Sequence, residues 1–390
     1  MNIIHFSDTY YPNLNGVVVA VEQFAKRAAA AGHKVILFVP ACSLKKTVEH
    51  HENLTIYRIR SIPFPIYPGV QAALPNLARM FTQIREFKPD IVHIHTPAVL
   101  GVLGIIFAQI LSVKIVNTYH TLFSMGTAYL SPKRLIPGAK IQVASNEEGL
   151  LSLIAWKLQV IFFNLSDLVI APTKIIEKTI KKQGVKARIF TLPSGLDLSQ
   201  FPQKKIGTLQ YKIIHLGRLG FEKATDIIIK AFGQIKEKYP QATLTIAGDG
   251  PDRKNLEKLA DSLGLRDSVT FLGMVPHEKV SALYREHDVF MTASPFETQG
   301  LVLNEAMLSG LPVIAAAVYA PREIVIEGKN GYLFAEGNVE DCVKKTILLF
   351  RDPKKFSTLA KNARKSAEAF DSILLTNKLL TTYQKLAHKK

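Results

Sequence analysis

The chain alternates short runs rich in β-branched residues with stretches of helical periodicity, and this alternation starts twice. In the first half the short runs are NIIHFS, KVILFVP, DIVHIHT and KIVNTYH. Helical patterns lie between them, at residues 16–31 and around residues 74–87. Strands that alternate with helices predict a parallel sheet covered by helices on both faces. We therefore expect a doubly wound α/β domain in the first half.

The pattern begins again near Tyr211. Five further strands are predicted, at YKIIHLGR, ATLTIAGDG, VTFLGMV, DVFMTAS and PVIAAAV, with helices such as 226–238 and 279–286 between them. A chain of 390 residues is too long for one ordinary core. We expect two Rossmann-like domains, 1–205 and 206–369, because both periodicities lapse in LSQFPQKKIGTLQ. The last helical pattern, about 370–390, either extends the second domain or packs back on the first.

Cysteine usage and the amino terminus bear on where the protein works. Cys42 and Cys342 fall in opposite halves, which argues against a disulfide framework or a thiolate metal site and fits a reducing cytosol. The start, MNIIHFSDTYYP, lacks the basic and apolar regions of a signal peptide. Residues 91–113 carry no Asp, Glu, Lys or Arg, but their two histidines, proline and glutamine favour a buried strand and a crossover helix over a membrane span. We expect a cytoplasmic protein.

The charge balance calls for an anionic partner or a solubility role. Lys and Arg number 49 against 32 Asp and Glu, a formal net charge of +17. Nucleic acid, acidic lipid and nucleotide phosphates are candidate partners, and a solvated basic surface is the alternative. The sequence has no zinc-finger spacing, no aromatic RNA-binding strand and no basic helix with heptads, so no nucleic acid partner is predicted.

The stretch SPFETQGLVLNEA places one glutamate before a predicted helix start and one after it. The helix should begin near Gly300, which puts Glu297 in the preceding loop and Glu305 in the second turn. The amides of Gly300, Leu301 and Val302 would then offer an anion site. Carboxylates accept hydrogen bonds from sugar hydroxyls, so a sugar joined to a phosphate would suit both features. The alternative is two solvent-facing acids.

Other predicted strand ends also carry polar or bare residues. Arg218 and Lys223 follow the strand in HLGRLGFEK, where ligands of open α/β sheets bind, and their charges suit phosphates. Gly16 lies at the strand-to-helix turn of SDTYYPNLNGVV, although this is not a GxGxxG pattern. His120 ends the strand in NTYHTLF. Taken singly, each is also explained as an ordinary surface or core residue.

Together these segments resemble the retaining family 4 glycosyltransferases of the GT-B fold. The motifs that carry the resemblance are ETQGLVLNE, GRLGFEK, LPSGLD, NGV and YHT, and it extends over essentially the whole chain. It implies two Rossmann-like domains facing each other across a deep cleft. Gln299 departs from the family pattern, in which an aromatic residue is common before the glycine.

The resemblance implies a role for each matching residue. Arg218 and Lys223 would bind the donor diphosphate, Glu297 the donor sugar and Glu305 the ribose, while His120 would lie beside the transferred sugar. Gly16 would approach the diphosphate, and FLGMVP would flank the base. The implied catalytic residues are His120, Arg218, Lys223 and Glu297. The implied donor-binding residues are Gly16, Gly217, Arg218, Lys223, Met274, Val275, Glu297, Gly300, Leu301, Val302 and Glu305.

The expected activity is transfer of a hexose, glucose in particular, from a UDP-sugar with retention of configuration. Neither a metal nor a cofactor is expected, because Arg218 and Lys223 can stabilise the negative charge that develops on the diphosphate. The nucleotide sugar is a substrate.

The expected acceptor is a membrane lipid, diacylglycerol or glucosyl-diacylglycerol, since FSDTYYPNLNGVV and NTYHTLF look like segments of bacterial diacylglycerol glucosyltransferases. Three stretches suit an anionic inner membrane surface: SIPFPIYPGVQAALP, YLSPKRLIPGAK and EEGLLSLIAWKLQVIFF. The alternatives are a soluble sugar, sugar-alcohol or polysaccharide acceptor, GDP-mannose with a lipid acceptor, or a binding protein without turnover. The sequence does not specify an oligomeric state.

Overall fold

The computed structural model describes residues 1–13, 15–63, 70–120, 150–202 and 207–388. The chain divides into two compact units. One is Met1–Gly195 together with Ser372–Lys390, and the other is Leu196–Asp371. Each has an extended, mainly parallel sheet flanked by helices, which confirms the predicted α/β class.

The first unit is built on an eight-stranded sheet in the order β10-β9-β8-β7-β1-β2-β4-β3, with a separate β5-β6 pair. Its strands are β1 (Asn2–Phe6), β2 (Lys34–Pro40), β3 (Thr47–His50), β4 (Leu54–Ile59), β5 (Ser61–Pro63), β6 (Gln71–Ala73), β7 (Ile91–Ile94), β8 (Lys114–Thr118), β9 (Leu168–Ala171) and β10 (Arg188–Thr191). Within the eight-stranded sheet, β3 alone runs antiparallel to its neighbour. The central strands are buried on both faces, as parallel strands covered by helices must be.

Six helices belong to the described part of this unit. They are α1 (Gly16–Ala30), α2 (Leu77–Phe87), α3 (Val99–Ile110), α4 (Leu150–Asn164), α5 (Lys174–Lys182) and α13 (Ser372–Ala387). The tail therefore returns to the first unit, where α13 packs against α1. Residues 91–113 form β7 and α3, as predicted. Within the described part of the chain, no helix is both long and apolar enough to cross a membrane.

The second unit is built on a six-stranded, wholly parallel sheet in the order β13-β12-β11-β14-β15-β16. Its strands are β11 (Lys212–Leu216), β12 (Thr243–Ala247), β13 (Val269–Gly273), β14 (Val289–Thr292), β15 (Val313–Ala316) and β16 (Gly331–Phe334). Its helices are α6 (Thr225–Lys238), α7 (Arg253–Ser262), α8 (His277–Arg285), α9 (Leu301–Leu308), α10 (Pro321–Ile324), α11 (Val339–Phe350) and α12 (Pro353–Ala367).

The strand order defines one switch point in each sheet. In the first unit β1 lies between β2 and β7, and in the second unit β11 lies between β12 and β14. The loops after β1 and β7, and after β11 and β14, therefore diverge to opposite faces of their sheets. Ligands of open α/β sheets bind at such crevices, outside the carboxyl ends of the strands.

The boundary between the units lies at Gly195 and Leu196 rather than at the predicted 205 and 206. Leu196 and Phe201 are buried in the core of the second unit, so the segment belongs there although it has no regular periodicity. The second unit ends at Asp371 rather than at 369, where the amide of Leu196 donates to the carbonyl of Phe370 at 2.7 Å.

Candidate functional site

The loop after β11 carries three charged side chains within six residues. Arg218 donates from Nε and Nη2 to one oxygen of Glu222, at 3.1 and 2.9 Å. Glu222 is buried. The amide of Lys223 donates to the carbonyl of Gly220, which closes the turn as a short 3₁₀ helix, Phe221–Lys223. This turn places Arg218 and Lys223 at the same strand end, as predicted. Glu222, which holds the arginine, was not predicted.

The loop after β14 brings Glu297 to this group. Lys223 Nζ lies 2.5 Å from Glu297 Oε1, and the side chains are 26% and 11% exposed. The hydroxyl of Ser294 also reaches the carbonyl of Glu222, at 3.4 Å. The two loops at the switch point are thus joined by an ion pair and a hydrogen bond. Such a partly desolvated ion pair is more strongly coupled than one on the surface.

Gly300 sets the start of α9. Its φ of +67° is left-handed, a conformation that glycine adopts without strain, and α9 begins at the next residue. Among the described residues, the amides of Gly300, Leu301 and Val302 donate to no acceptor, while those of Leu303 and Asn304 donate back to the Gly300 carbonyl. The helix end therefore offers amides of the kind that bind anions.

Glu305 faces the interior rather than solvent. It is 6% exposed, and the hydroxyl of Tyr284 on α8 contacts its Oε2 at 3.4 Å and the carbonyl of Val302 at 3.3 Å. Burial raises the pKa of Glu305 to about 7, and the hydrogen bond from Tyr284 opposes part of that rise. The carboxyl group can therefore change protonation near neutral pH.

The remaining predicted residues of this unit lie at neighbouring strand ends. Gly217 follows β11, and Gly248 approaches it so closely that an added Cβ would lie 1.8 Å from the Gly217 carbonyl oxygen. After β13, Met274 is 63% exposed whereas Val275 packs against the buried core. An exposed methionine beside a strand end suits contact with a flat aromatic ligand.

In the first unit, Gly16 is the exposed first residue of α1. The side-chain oxygen of Asn15 accepts from the amides of Val17 and Val18, both at 3.0 Å. The asparagine cap therefore occupies two amides of the helix end and leaves the bare backbone of Gly16 beside them.

His120 follows β8 and ends a row of buried histidines. Its Nε2 lies 3.0 Å from Nδ1 of His95, whose Nε2 lies 2.9 Å from Nδ1 of His5. Burial lowers the pKa of His120 to about 3, so the ring is neutral at physiological pH. His5 and His95 were not predicted as site residues. The signal was present in the HIH run, because alternate residues of a strand face the same side.

Within the second unit the structure thus pairs Lys223 with Glu297 and places Arg218, which is paired with Glu222, in the same loop as Lys223. Gly300 and Glu305 follow Glu297 in the next loop and helix. Two switch-point loops with paired cations, a helix start whose first amides make no helical hydrogen bond and buried carboxyl groups are features of open α/β proteins whose ligands carry phosphate. Gly16 and His120 belong to the first unit.

Comparison with known proteins agrees with this class. Residues 14–200 match Glycosyltransferase Family 4, and residues 198–366 match Glycosyl transferases group 1. The alpha-monoglucosyldiacylglycerol synthase of Acholeplasma laidlawii is 30% identical over 407 residues, covering 100% of this chain and 98% of the relative. The enzyme of the same name from Streptococcus pneumoniae is 26% identical and covers 95% and 83%.

A solved structure shows the same fold. The chain of Anabaena Alr3699/HepE in complex with UDP and glucose has a TM-score of 0.74 at 21% identity, covering 99% of this chain and 100% of that one. The protein belongs to the family 4 glycosyltransferases and has the GT-B fold, which confirms the resemblance found in the sequence.

Proposed function

We propose that the protein is a retaining, metal-independent hexosyltransferase that moves glucose from UDP-glucose to diacylglycerol or glucosyl-diacylglycerol. The observation that carries the proposal is the contact of Lys223 with Glu297 beside Arg218, at the switch point of a family 4 glycosyltransferase. The relatives at 26% and 30% identity, both named alpha-monoglucosyldiacylglycerol synthase, support the choice of sugar and acceptor.

The chemistry follows from where charge develops. Breaking the bond between sugar and phosphate leaves negative charge on the diphosphate and positive charge on the anomeric carbon. Arg218 and Lys223 are positioned by Glu222 and Glu297, so little reorganisation is needed to receive the diphosphate. The amides at the start of α9 add a second set of donors. Glu305 accepts from the ribose hydroxyls, and Glu297 contacts the donor sugar.

Metal independence is inferred from these same groups. A divalent ion in a sugar-transfer site bridges phosphate oxygens and offsets their charge. Two cations fixed at one strand end supply that stabilisation directly, and Arg218 offers planar donors suited to phosphate oxygens. The acceptor hydroxyl oxygen bonds to the anomeric carbon from the leaving-group face as the sugar–phosphate bond breaks, and the leaving phosphate oxygen takes the hydroxyl proton, so no side chain is required as base or nucleophile.

A face of α4 supports the lipid acceptor. Four apolar side chains on one side of α4 and just after its end are 44–61% exposed and spaced by three or four residues: Ile154, Leu158, Ile161 and Leu165. We call these four residues the α4 stripe. The opposite side, with Phe162 and Phe163, is buried in the first unit.

Basic residues lie near this helix. Trp156 Nε1 contacts the carbonyl of Gln183 at 3.4 Å, and the side chain of Asn164 accepts from the amide of Lys186 at 2.7 Å, which joins α4 to the end of α5. Lys181, Lys182 and Lys186 are exposed there. An exposed apolar stripe next to lysines suits the headgroup region of an anionic membrane. YLSPKRLIPGAK lies outside the described residues, as do parts of the other two stretches predicted for this role.

The test is a substrate panel run on the purified chain. UDP-glucose, UDP-galactose, UDP-N-acetylglucosamine and GDP-mannose are each incubated with diacylglycerol vesicles, glucosyl-diacylglycerol vesicles, or soluble sugar acceptors, with and without EDTA. We expect nucleotide release and an α-linked glycolipid from UDP-glucose with lipid acceptor, unchanged by EDTA. Transfer from GDP-mannose, or to a soluble acceptor alone, would replace the proposed substrates. Loss of activity in EDTA that added Mn²⁺ restores would overturn metal independence.

A further inference from the structure

Three loops of the second unit meet at the carboxyl edge of its sheet. The amide of Leu219, beside Arg218 in the loop after β11, donates to the carbonyl of Asp249 after β12 at 2.9 Å. The amide of Gly248 in turn donates to the carbonyl of Gly273, at the end of β13, at 2.8 Å. Because neighbouring strands lie about 4.8 Å apart, the end of β13 is about 10 Å from that of β11. A ligand that binds at Arg218 and extends along this edge therefore reaches Gly273.

Arg253, the first residue of α7, is held at this part of the edge by two carboxylates. Its Nε donates to Oε1 of Glu257 at 2.8 Å, and its Nη1 donates to Oδ2 of Asp249 at 3.2 Å. The guanidinium also lies against Gly273, where an added Cβ would be 3.1 Å from Nη1. Among the described residues Nη2 donates to no acceptor, and the side chain is 32% exposed. Arg253 therefore presents planar, oriented donors to a ligand at the end of β13.

The charge around Arg253 differs from that around the two cations in the loop after β11. Arg218 and Lys223 are each paired with a single carboxylate, whereas Arg253 is paired with two. The net charge at Arg253 is therefore negative, which disfavours a phosphate there and suits a neutral polar ligand. Met274, which follows the end of β13, is 63% exposed and offers apolar contact to an aromatic ring. A neutral aromatic ring with polar edges, such as a nucleobase, fits both features.

A guanidinium donates hydrogen bonds and accepts none, so the group that it contacts must carry an acceptor. Uracil and guanine have a carbonyl oxygen at the ring position where cytosine and adenine have an amino group. We propose that Arg253 is a specificity-determining residue that selects a donor nucleotide whose base carries this carbonyl oxygen. An amino group in its place would bring one donor against another and lose the hydrogen bond. The inference rests on the proposed function only in requiring that a nucleotide binds to the second unit.

The test is the affinity of the purified chain for two nucleotides that differ at this position of the base. UDP and CDP are titrated separately by isothermal titration calorimetry at one pH and one salt concentration, without sugar or lipid. We expect UDP to bind roughly 5–100-fold more tightly than CDP, the range by which one side chain distinguishes base edges. Because neither sugar nor acceptor is present, the ratio of the two dissociation constants measures base recognition alone.

Arg253→Ala should raise the Kd of UDP and leave that of CDP nearly unchanged, so that the ratio falls towards one. Arg253→Lys keeps the charge without the planar donors and should give an intermediate ratio. Arg266→Ala is the matched control, because Arg266 is an exposed arginine before the start of β13, at the opposite edge of the sheet, and its ratio should equal that of the wild type. Asp249 and Glu257 are 47% and 40% exposed, so the loss of their partner should leave the fold intact.

Two results would overturn the inference. One is a wild-type protein that binds UDP and CDP equally, and the other is a ratio that Arg253→Ala leaves unchanged. Selective binding of UDP that is lost in Arg253→Ala, without sugar transfer to any acceptor, would count against the proposed function alone. GDP and ADP form a second pair with the same difference in the base. A preference for GDP over both ADP and UDP that is lost in Arg253→Ala would support the inference and replace UDP as the donor nucleotide.

Discussion

Each cation at the switch point of the second unit has its own buried carboxylate. Glu222 accepts from Arg218, and Glu297 accepts from Lys223. Glu222 Oε2 is buried without a further partner among the described residues, so this carboxylate depends on the arginine for its stabilisation. Burying a carboxylate is costly unless it is paired. These two acids therefore hold and orient the two cations at this strand end.

Removal of either cation should reduce turnover far more than it reduces donor binding. We expect Arg218→Ala and Lys223→Ala to lower kcat by about 10²–10³-fold, as loss of one preorganised donor to a developing anion does elsewhere. Lys223→Ala also leaves Glu297 without its ion-pair partner, so its thermal stability should fall and assays should be run well below its melting temperature. Lys230→Ala is the control, because its pair with Asp226 is on the surface. Wild-type turnover in a folded Lys223→Ala would disprove the assignment.

Glu305 should make the stability of the fold depend on pH. Its pKa is about 7 in the folded chain against an ordinary 4.5, so between these values the folded state binds more protons than the unfolded state. This group's contribution to the unfolding free energy therefore falls as pH rises from 4.5 to 7 and is constant above. Each unit corresponds to about 1.4 kcal/mol, so Glu305→Gln should gain roughly 3 kcal/mol relative to wild type over that range. Denaturant melts at pH 5 and 8 would measure it, and parallel wild-type and variant curves would contradict the burial.

At the scale of elements, the turn at Gly195 fixes how α13 returns to the first unit. An added Cβ there would lie 2.3 Å from Cα of Ser372 and 2.9 Å from its amide nitrogen. Tyr383 on the same helix reaches Nδ1 of His93 at 2.5 Å, which ties α13 to β7. The glycine of the LPSGLD motif is therefore explained by the close approach of two backbone segments.

Gly195→Ala should destabilise the first unit. The methyl group meets backbone rather than a flexible side chain, so α13 must shift, and overpacking of this kind costs about 1–3 kcal/mol. Gly207→Ala is the matched control, because nothing lies within 4 Å of the Cβ it would add. The urea midpoints of both variants measure the difference. Equal midpoints would show that the contact between Gly195 and the backbone of Ser372 is not tightly packed.

Which elements the sequence predicts depends on how strongly each is patterned. The strands β1, β2, β7, β8 and β11 to β15 were predicted because they are continuous apolar runs beside helical patterns. β16 was missed, since its apolar run is only the three residues Tyr332–Phe334 and offers no alternation to detect, and β3 to β6, β9 and β10 were not predicted either. The position of α13 depends on its tertiary contact with α1, so it could not be predicted from local periodicity.

The same distinction applies to the site. Arg218, Lys223 and Glu297 were found through their strand-end positions and their resemblance to a family pattern. Glu222 was missed because its burial depends on the fold of its own turn, although its spacing of four from Arg218 was visible. Contacts between ring nitrogens join His5, His95 and His120, and only the strand order of the sheet brings such distant positions together.

At the scale of the whole molecule, the excess of basic residues and the α4 stripe lead to the same expectation. A formal charge of +17 would draw the chain to an anionic surface from a distance, within a range set by salt. The α4 stripe would then supply apolar contact that salt does not weaken. A surface that uses both should lose affinity as ionic strength rises without losing it completely.

We therefore expect the protein to sediment with phosphatidylglycerol-rich vesicles at low salt, less at high salt, and hardly at all with neutral phosphatidylcholine vesicles. Leu158 and Ile161 are 61% and 58% exposed, so Leu158→Ser/Ile161→Ser should leave the fold intact and weaken binding about tenfold or more, since each inserted aliphatic side chain contributes roughly 1.5–3 kcal/mol at most. Leu263→Ser removes a leucine of similar exposure, 46%, at the end of α7 and should not change binding. The contrary result is that the double variant binds the vesicles as tightly as the wild type, with high salt releasing both proteins. That result would show that charge alone holds the protein to the lipid and that the α4 stripe has another role.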